Sequence, residues 1–143
     1  MRRRKGKSHN SVGTPDVVYK FLERFHVKKE ELFDPCPLND NPTVDGLAIN
    51  WVGPSVYCNP PYSCVKLWVK KCILEFENPS IEEIFLLVKC ENLANSYMKD
   101  VHKVANLYTF SKRLTFVGYK KSAGFGSVLI HFNRKKTGSW ETI

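Results

Sequence analysis

The stretch Ser55-Val56-Tyr57-Cys58-Asn59-Pro60-Pro61-Tyr62-Ser63 decides how the rest of the chain is read. Val56 and Tyr57 favour a strand, and neither proline can donate to a sheet ladder, so the strand must stop near Asn59. Tyr62 is thereby held just beyond a sheet edge, at the entry to a helix-like segment. From Ser63 to about Phe76, Val65, Trp68, Val69, Cys72, Ile73 and Phe76 recur at helical spacing, with Lys66, Lys70 and Lys71 on the outer face. Asn78-Pro79-Ser80 ends that helix. Ile84-Phe85-Leu86-Leu87-Val88 is then a continuous apolar run of strand length, as expected of a central parallel strand.

Upstream, Thr14-Pro15-Asp16 reads as a helix start. Thr14 can cap, Pro15 suits the first helical position, and Asp16 complements the positive end of the dipole. Val17, Val18, Phe21, Leu22 and Phe25 give the following helix one buried face. Glu31-Leu32-Phe33-Asp34 predicts a short strand stopped by Pro35 and Pro37. Residues 35–55 are rich in Pro, Asn, Asp and Gly, and a connection of that length is usually functional or holds short elements. Downstream, residues 93–103 are expected to be helical, and residues 106–110, 113–119 and 127–132 to be strands. Helices and strands thus alternate and an antiparallel pair closes the chain, which predicts a three-layer α/β domain.

A chain of 143 residues is enough for one domain with a proper core, expected over residues 11–143. The net charge of +8 is partly local, because Arg2, Arg3, Arg4, Lys5 and Lys7 crowd a basic tail at residues 1–10 that is expected to be disordered. The remainder stays mildly basic, which suits a polyanionic partner. No apolar run approaches the roughly 18 residues that span a bilayer, and no apolar stretch follows the basic start, so neither a membrane anchor nor a secretory signal is expected. The five cysteines are irregularly spaced without a CxxC pair. Cys58, Cys72 and Cys90 are expected to pack as reduced thiols in an intracellular compartment, with no zinc site. His26, His102 and His131 show no partner pattern and read as surface or packing residues.

An Asn-Pro-Pro-Tyr run at a strand end has a definite chemical use. The Asn side-chain oxygen and the first proline's carbonyl are neutral acceptors of fixed direction, and together they can hold an exocyclic amino group by both hydrogens. That draws the nitrogen lone pair out of conjugation and aims it at an electrophile. The tyrosine ring offers a face on which a planar base can stack. A base within a duplex must first leave the stack.

These residues resemble a known family. Asn59-Pro60-Pro61-Tyr62 is similar to the catalytic signature of S-adenosylmethionine-dependent amino methyltransferases, which act on adenine N6, cytosine N4 or, in one branch, glutamine. The order Thr14-Pro15, Asp34-Pro35-Cys36, Asp45-Gly46-Leu47, Trp51, Asn59-Pro60-Pro61-Tyr62-Ser63 and Trp68 resembles more closely the small phage-type, Dam-like DNA N6-adenine methyltransferases. Arg113-Leu114-Thr115-Phe116 and Gly126-Ser127-Val128-Leu129-Ile130 are similar to that family's C-terminal end.

The resemblance implies a compact Rossmann-like class I methyltransferase domain: a mixed sheet, helices on both faces, and a C-terminal antiparallel strand pair. It implies S-adenosylmethionine as cofactor and DNA as partner, with RNA or a protein glutamine as alternative substrates, or a nucleic-acid-binding relative that has lost catalysis. Asn59, Pro60, Pro61 and Tyr62 would be catalytic, with Tyr62 stacking on the flipped base. Asp34, with Pro35 and Cys36, would meet the methionine end of the cofactor, Thr14 and Pro15 would close over it, and Asp45 and Leu47 would contact its adenine or ribose. Lys66, Lys70, Lys71, Lys112, Arg113, Lys120 and Lys121 are candidate phosphate contacts. Each has a structural alternative: a turn at Asp34 and at Asp45-Gly46, a helix cap at Thr14-Pro15, core packing for Trp51 and Trp68, and a solvated face for any single lysine. Prolines stand where many methyltransferases have a glycine-rich loop, and the short span from Asp34 to Asn59 implies that the second and third cofactor-site strands are shortened or missing.

Overall fold

The strand expected ahead of the prolines forms as β1 (Ser55–Cys58), buried along its whole length. The computed structural model describes residues 13–37, 45–135 and 137–143, so the basic tail expected at residues 1–10 lies outside the described residues. After β1 a 3₁₀ turn, Tyr62–Cys64, leads into α2 (Val65–Glu75), which buries Val65, Trp68, Val69 and Cys72 as expected, with Phe76 buried at its end, but leaves Ile73 exposed. The chain returns through β2 (Glu83–Lys89), parallel to β1, with Val56 opposite Ile84 and Cys58 opposite Leu86.

β3 (Ala105–Thr109), β4 (Ser127–Asn133) and β5 (Trp140–Thr142) complete a mixed open sheet of five strands in the order β1-β2-β4-β3-β5. β4 lies antiparallel to both β2 and β3, and β5 is parallel to β3. β1, β2 and β3 therefore point one way and their carboxyl ends share one edge. The molecule is an α/β fold, and the antiparallel pair expected late in the chain is β3 with β4.

Side chains alternate across the sheet, as the period of two requires. Val56, Cys58, Ile84, Leu86, Val88 and Ile130 form one cluster with Trp51 and the α2 residues Trp68 and Val69. Tyr57, Phe85, Leu87, Tyr108 and Leu129 form a second with Val18 and Leu22 of α1 (Asp16–Leu22). α1 ends in a 3₁₀ turn, Glu23–Phe25, where His26 takes a left-handed conformation with φ 63°.

Four expectations are corrected. Residues 93–103 form no α-helix; 3₁₀ turns at Cys90–Ala94, Ser96–Met98 and Val101–Lys103 replace it. Residues 113–119 form no strand: Leu114 and Phe116 are buried in the core, and the only ladder contact among the described residues is Val117 with Gly13. The strand expected at 31–34 reduces to one parallel bridge, Phe33 to Val56. Finally, Thr14 does not cap α1. Pro15 takes the cap position without a side-chain bond, because the Thr14 hydroxyl is engaged elsewhere.

At the amino edge of the sheet, Glu83 accepts from Ser55 Oγ at 2.8 Å, and its other oxygen lies 2.9 Å from His131 Nε2. His131 is buried and stacks on Phe85 with centroids 4.4 Å apart. It is a packing residue, as expected, and it has a partner that its sequence neighbours do not announce. All five cysteines are free; Cys58 and Cys72 are buried, and Cys90 only partly. Among the described residues, no helix is long and apolar enough to cross a membrane.

Candidate active site at the carboxyl edge of the sheet

Ligands of open α/β sheets bind outside the carboxyl ends of the strands. Here Asp34 follows the Phe33 bridge, Asn59 follows β1, and Lys89 ends β2. Phe33 N donates to Ser55 O at 3.0 Å and Tyr57 N donates to Phe33 O at 3.0 Å, so Asp34 and Asn59 leave the sheet from adjacent parallel segments. Asn59 Nδ2 donates to Thr14 Oγ1 at 3.1 Å, and Thr14 Oγ1 lies 2.7 Å from the buried Tyr57 hydroxyl. The start of the described chain is thus tied to β1. Because its nitrogen is held by Thr14, the Asn59 amide has a defined orientation.

Asp34 Oδ1 accepts from Cys36 N at 2.8 Å, the Asx-type turn weighed for it from sequence. Burial nonetheless pushes its carboxyl up from 3.8 to about 6, against that hydrogen bond. Burial, and then the Asp34 charge, push the neighbouring Cys36 thiol up to about 12. Among the described residues no cation pairs with Asp34. A desolvated carboxylate without a counter-ion suits a ligand that carries an ammonium group.

Tyr62 lines an open cavity of 590 Å³ together with Lys89, Phe116, Lys120, Lys121 and Phe125. Its ring meets Phe125 edge to face, with centroids 5.6 Å apart at 82°. Its hydroxyl is buried and has no hydrogen-bond partner among the described residues, and burial pushes the phenol up to about 12, so it stays neutral.

The remaining expected residues divide. Gly46 packs so closely on Pro35 that a Cβ would overlap the Pro35 carbonyl oxygen and lie 2.8 Å from the Trp68 ring. That brings the 45–47 turn beside Asp34-Pro35-Cys36, although Asp45 Oδ1 is occupied by Leu47 N at 2.9 Å and Leu47 packs on the core. Trp51 and Trp68 are buried and stacked, so both are core aromatics. Lys120 and Lys121 line the Tyr62 cavity, whereas Lys112 and Arg113 line a second cavity of 620 Å³ with Pro15, Phe21 and Phe110. Lys66 and Lys70 are exposed on α2 and line no described cavity.

Lys71 is not a phosphate contact. Its ammonium lies 2.9 Å from Glu75 Oε2, with only 11% and 9% of the two side chains exposed, while Glu75 Oε1 accepts from Trp51 N at 2.8 Å. Removing the carboxylate strands both partners. Glu75→Ala is therefore expected to cost about 3–5 kcal/mol, as breaking buried ion pairs does. Glu75→Gln, which keeps the acceptor for Trp51 N, should cost less. Urea denaturation of both variants against the wild type checks this, and stabilities equal to that of the wild type would show that the pair does not bear on the fold.

Three site residues were not foreseen: Tyr57, Lys89 and Phe125. Tyr57 and Lys89 look like ordinary strand residues, and only the sheet register carries them to the site. For Phe125, the flanking Gly124 and Gly126 signalled a turn but not which side chain it would present. Between Pro37 and Ser55 the described residues contain no strand. No protein-family model matches the chain, and no curated protein matches it.

Proposed function

We propose that the protein is a DNA adenine N6-methyltransferase that takes its methyl group from S-adenosylmethionine and acts on a flipped-out base. The observation that carries this reading is the meeting of two unlike groups at one sheet edge. Asp34 is a partly buried carboxylate that pairs with no cation among the described residues, and the adjacent segment presents Asn59-Pro60, oriented through Thr14, with Tyr62 against a cavity. The first suits a cationic ligand and the second a planar amine. The distribution of α1 and α2 between the two apolar clusters supports a layered, Rossmann-like domain with helices on both faces.

The cofactor, when bound, supplies an electrophilic methyl group. Asp34 would meet its ammonium, the Thr14-Pro15 segment would lie over that end, and the 45–47 turn would flank it. Asn59 Oδ1 and the Pro60 carbonyl would accept the two hydrogens of the adenine amine, so that its lone pair points out of the ring plane. Tyr62 would hold the ring by stacking. No base is required before attack, since the amine loses its proton once the new bond has formed. Lys120 and Lys121, exposed at the cavity rim, favour a nucleic acid over a protein glutamine.

The test is direct. DNA from cells expressing the protein should contain N6-methyladenine by mass spectrometry, and Asn59→Ala should abolish it. Transfer of tritiated methyl only to RNA or only to protein would replace DNA as the substrate.

A further inference from the structure

One face of the ring assigned above to a target base is already covered in this structure. Lys89 is the last residue of β2, and its ammonium lies 4.4 Å from the Tyr62 centroid and 4.5 Å from the Phe125 centroid. Among the described residues no carboxylate pairs with it, and its ammonium rests against the two rings. A stacked base sits about 3.5–4 Å above a ring. A base stacked on that face and the ammonium therefore exclude one another. The same cavity holds two further exposed ammonium groups, Lys120 and Lys121, and the unpartnered hydroxyl of Tyr62.

We propose that Lys89 is a placeholder cation: an entering nucleotide displaces it from the Tyr62 face and receives it on its own phosphate. The proposal rests on Tyr62 being the stacking surface. It gives the cavity a preference that aromatic walls alone would not have. A bare nucleoside must expel the ammonium and offers it nothing in return, whereas a nucleotide supplies the anion. The ligand class is therefore a phosphate-bearing planar base, presented as single-stranded or flipped-out nucleic acid. Lys89 acts as a positioning residue that rejects uncharged rings.

The measurement compares wild type with Lys89→Met and Lys89→Arg, using adenosine by calorimetry and a labelled single-stranded oligodeoxyadenylate by fluorescence anisotropy between 50 and 200 mM salt (roughly the range over which phosphate contacts are most visible). Lys89→Met is expected to bind adenosine about two- to fivefold more tightly, the weight of one exposed cation–ring contact. It should bind the oligonucleotide more weakly, with a salt slope shallower by about 0.7, the single-strand value for one phosphate contact. Lys89→Arg should behave as wild type, and in a Tyr62→Leu background Lys89→Met should no longer alter adenosine affinity.

Unchanged adenosine affinity and salt slope in Lys89→Met, or a Lys89→Arg variant that behaves like Lys89→Met, would overturn the proposal. Neither measurement uses S-adenosylmethionine or turnover. Loss of the Lys89 effects with methylation intact removes this proposal alone, and their presence without methylation removes the enzyme reading alone.

Discussion

Asn59→Ala is expected to lower methyl transfer to adenine by about 10²–10³-fold, the cost of removing one preorganised polar group from a reacting centre. The reason is geometric. The proposed clamp has two acceptors, and only one of them, the Pro60 carbonyl, survives the substitution. With one hydrogen held, the amine stays conjugated with the ring and its lone pair is not aimed. S-adenosylmethionine affinity should change little, because the group assigned to its ammonium is Asp34. Tyr62→Ala should act through a different quantity: a lost base stack weakens substrate binding by about 1–3 kcal/mol. Single-turnover kinetics at saturating DNA separate the two, since the Asn59 defect persists there and part of the Tyr62 defect is recovered. Near-normal turnover in both variants would place the chemistry elsewhere.

The second large effect concerns Asp34→Asn, and it has opposite signs for stability and for function. Burial raises the folded-state carboxyl from 3.8 to about 6, so between those values the folded protein holds a proton that the unfolded chain has released. Stability therefore falls as pH rises through that window and stays lower above it, by about 3 kcal/mol. Asparagine keeps the acceptor for Cys36 N and carries no charge to desolvate. The variant should unfold with a flat pH profile between 4 and 6 and be more stable than wild type at pH 7.5.

Its affinity for S-adenosylmethionine should fall by at least about tenfold, the weight of one charge-assisted contact. In the wild type, binding of a cation should draw the carboxyl back down, so calorimetry near pH 6 should show proton release on binding that the variant lacks. An Asp34→Asn protein that binds the cofactor as wild type does would return Asp34 to the role of a turn residue.

How far the chain could be read from sequence depended on what each residue answers to. β1, α2 and β2 were legible because their apolar spacing matches their burial, and the stop at Asn59 was legible because proline cannot donate. Residues 93–103 misled because their composition permits a helix while side chains compete for the backbone. Asn92 Nδ2 donates to Lys89 O, and its Oδ1 accepts from the Tyr97 hydroxyl, which in turn accepts from Asn95. Residues 113–119 alternate as a strand does, and Leu114 and Phe116 are indeed buried, but alternation cannot reveal whether a partner strand is present. β5 was invisible because all three of its residues are exposed and no pattern marks it. It is held by pairing with β3, by Ser139 bonded to Asn106 Oδ1, and by the Arg24–Glu141 ion pair at 2.9 Å. Asp34, Asn59 and Tyr62 were singled out from motif order. The cation on the Tyr62 ring was not, because it depends on the sheet register.

The place of β4 also bears on how the molecule is made. It is the reversed strand between β2 and β3, yet it enters the sheet after both of them in chain order. During synthesis, β1, α2 and β2 can assemble early through a short crossover, but the inner edge of β2 stays open until residues 127–133 have emerged. That edge, Ile84-Phe85-Leu86-Leu87-Val88, is apolar enough to recruit a second chain. A product truncated before Ser127 should therefore aggregate, although it retains Asp34, Asn59 and Tyr62. Sedimentation of such a fragment against the full chain would show whether the last long strand guards the solubility of those before it.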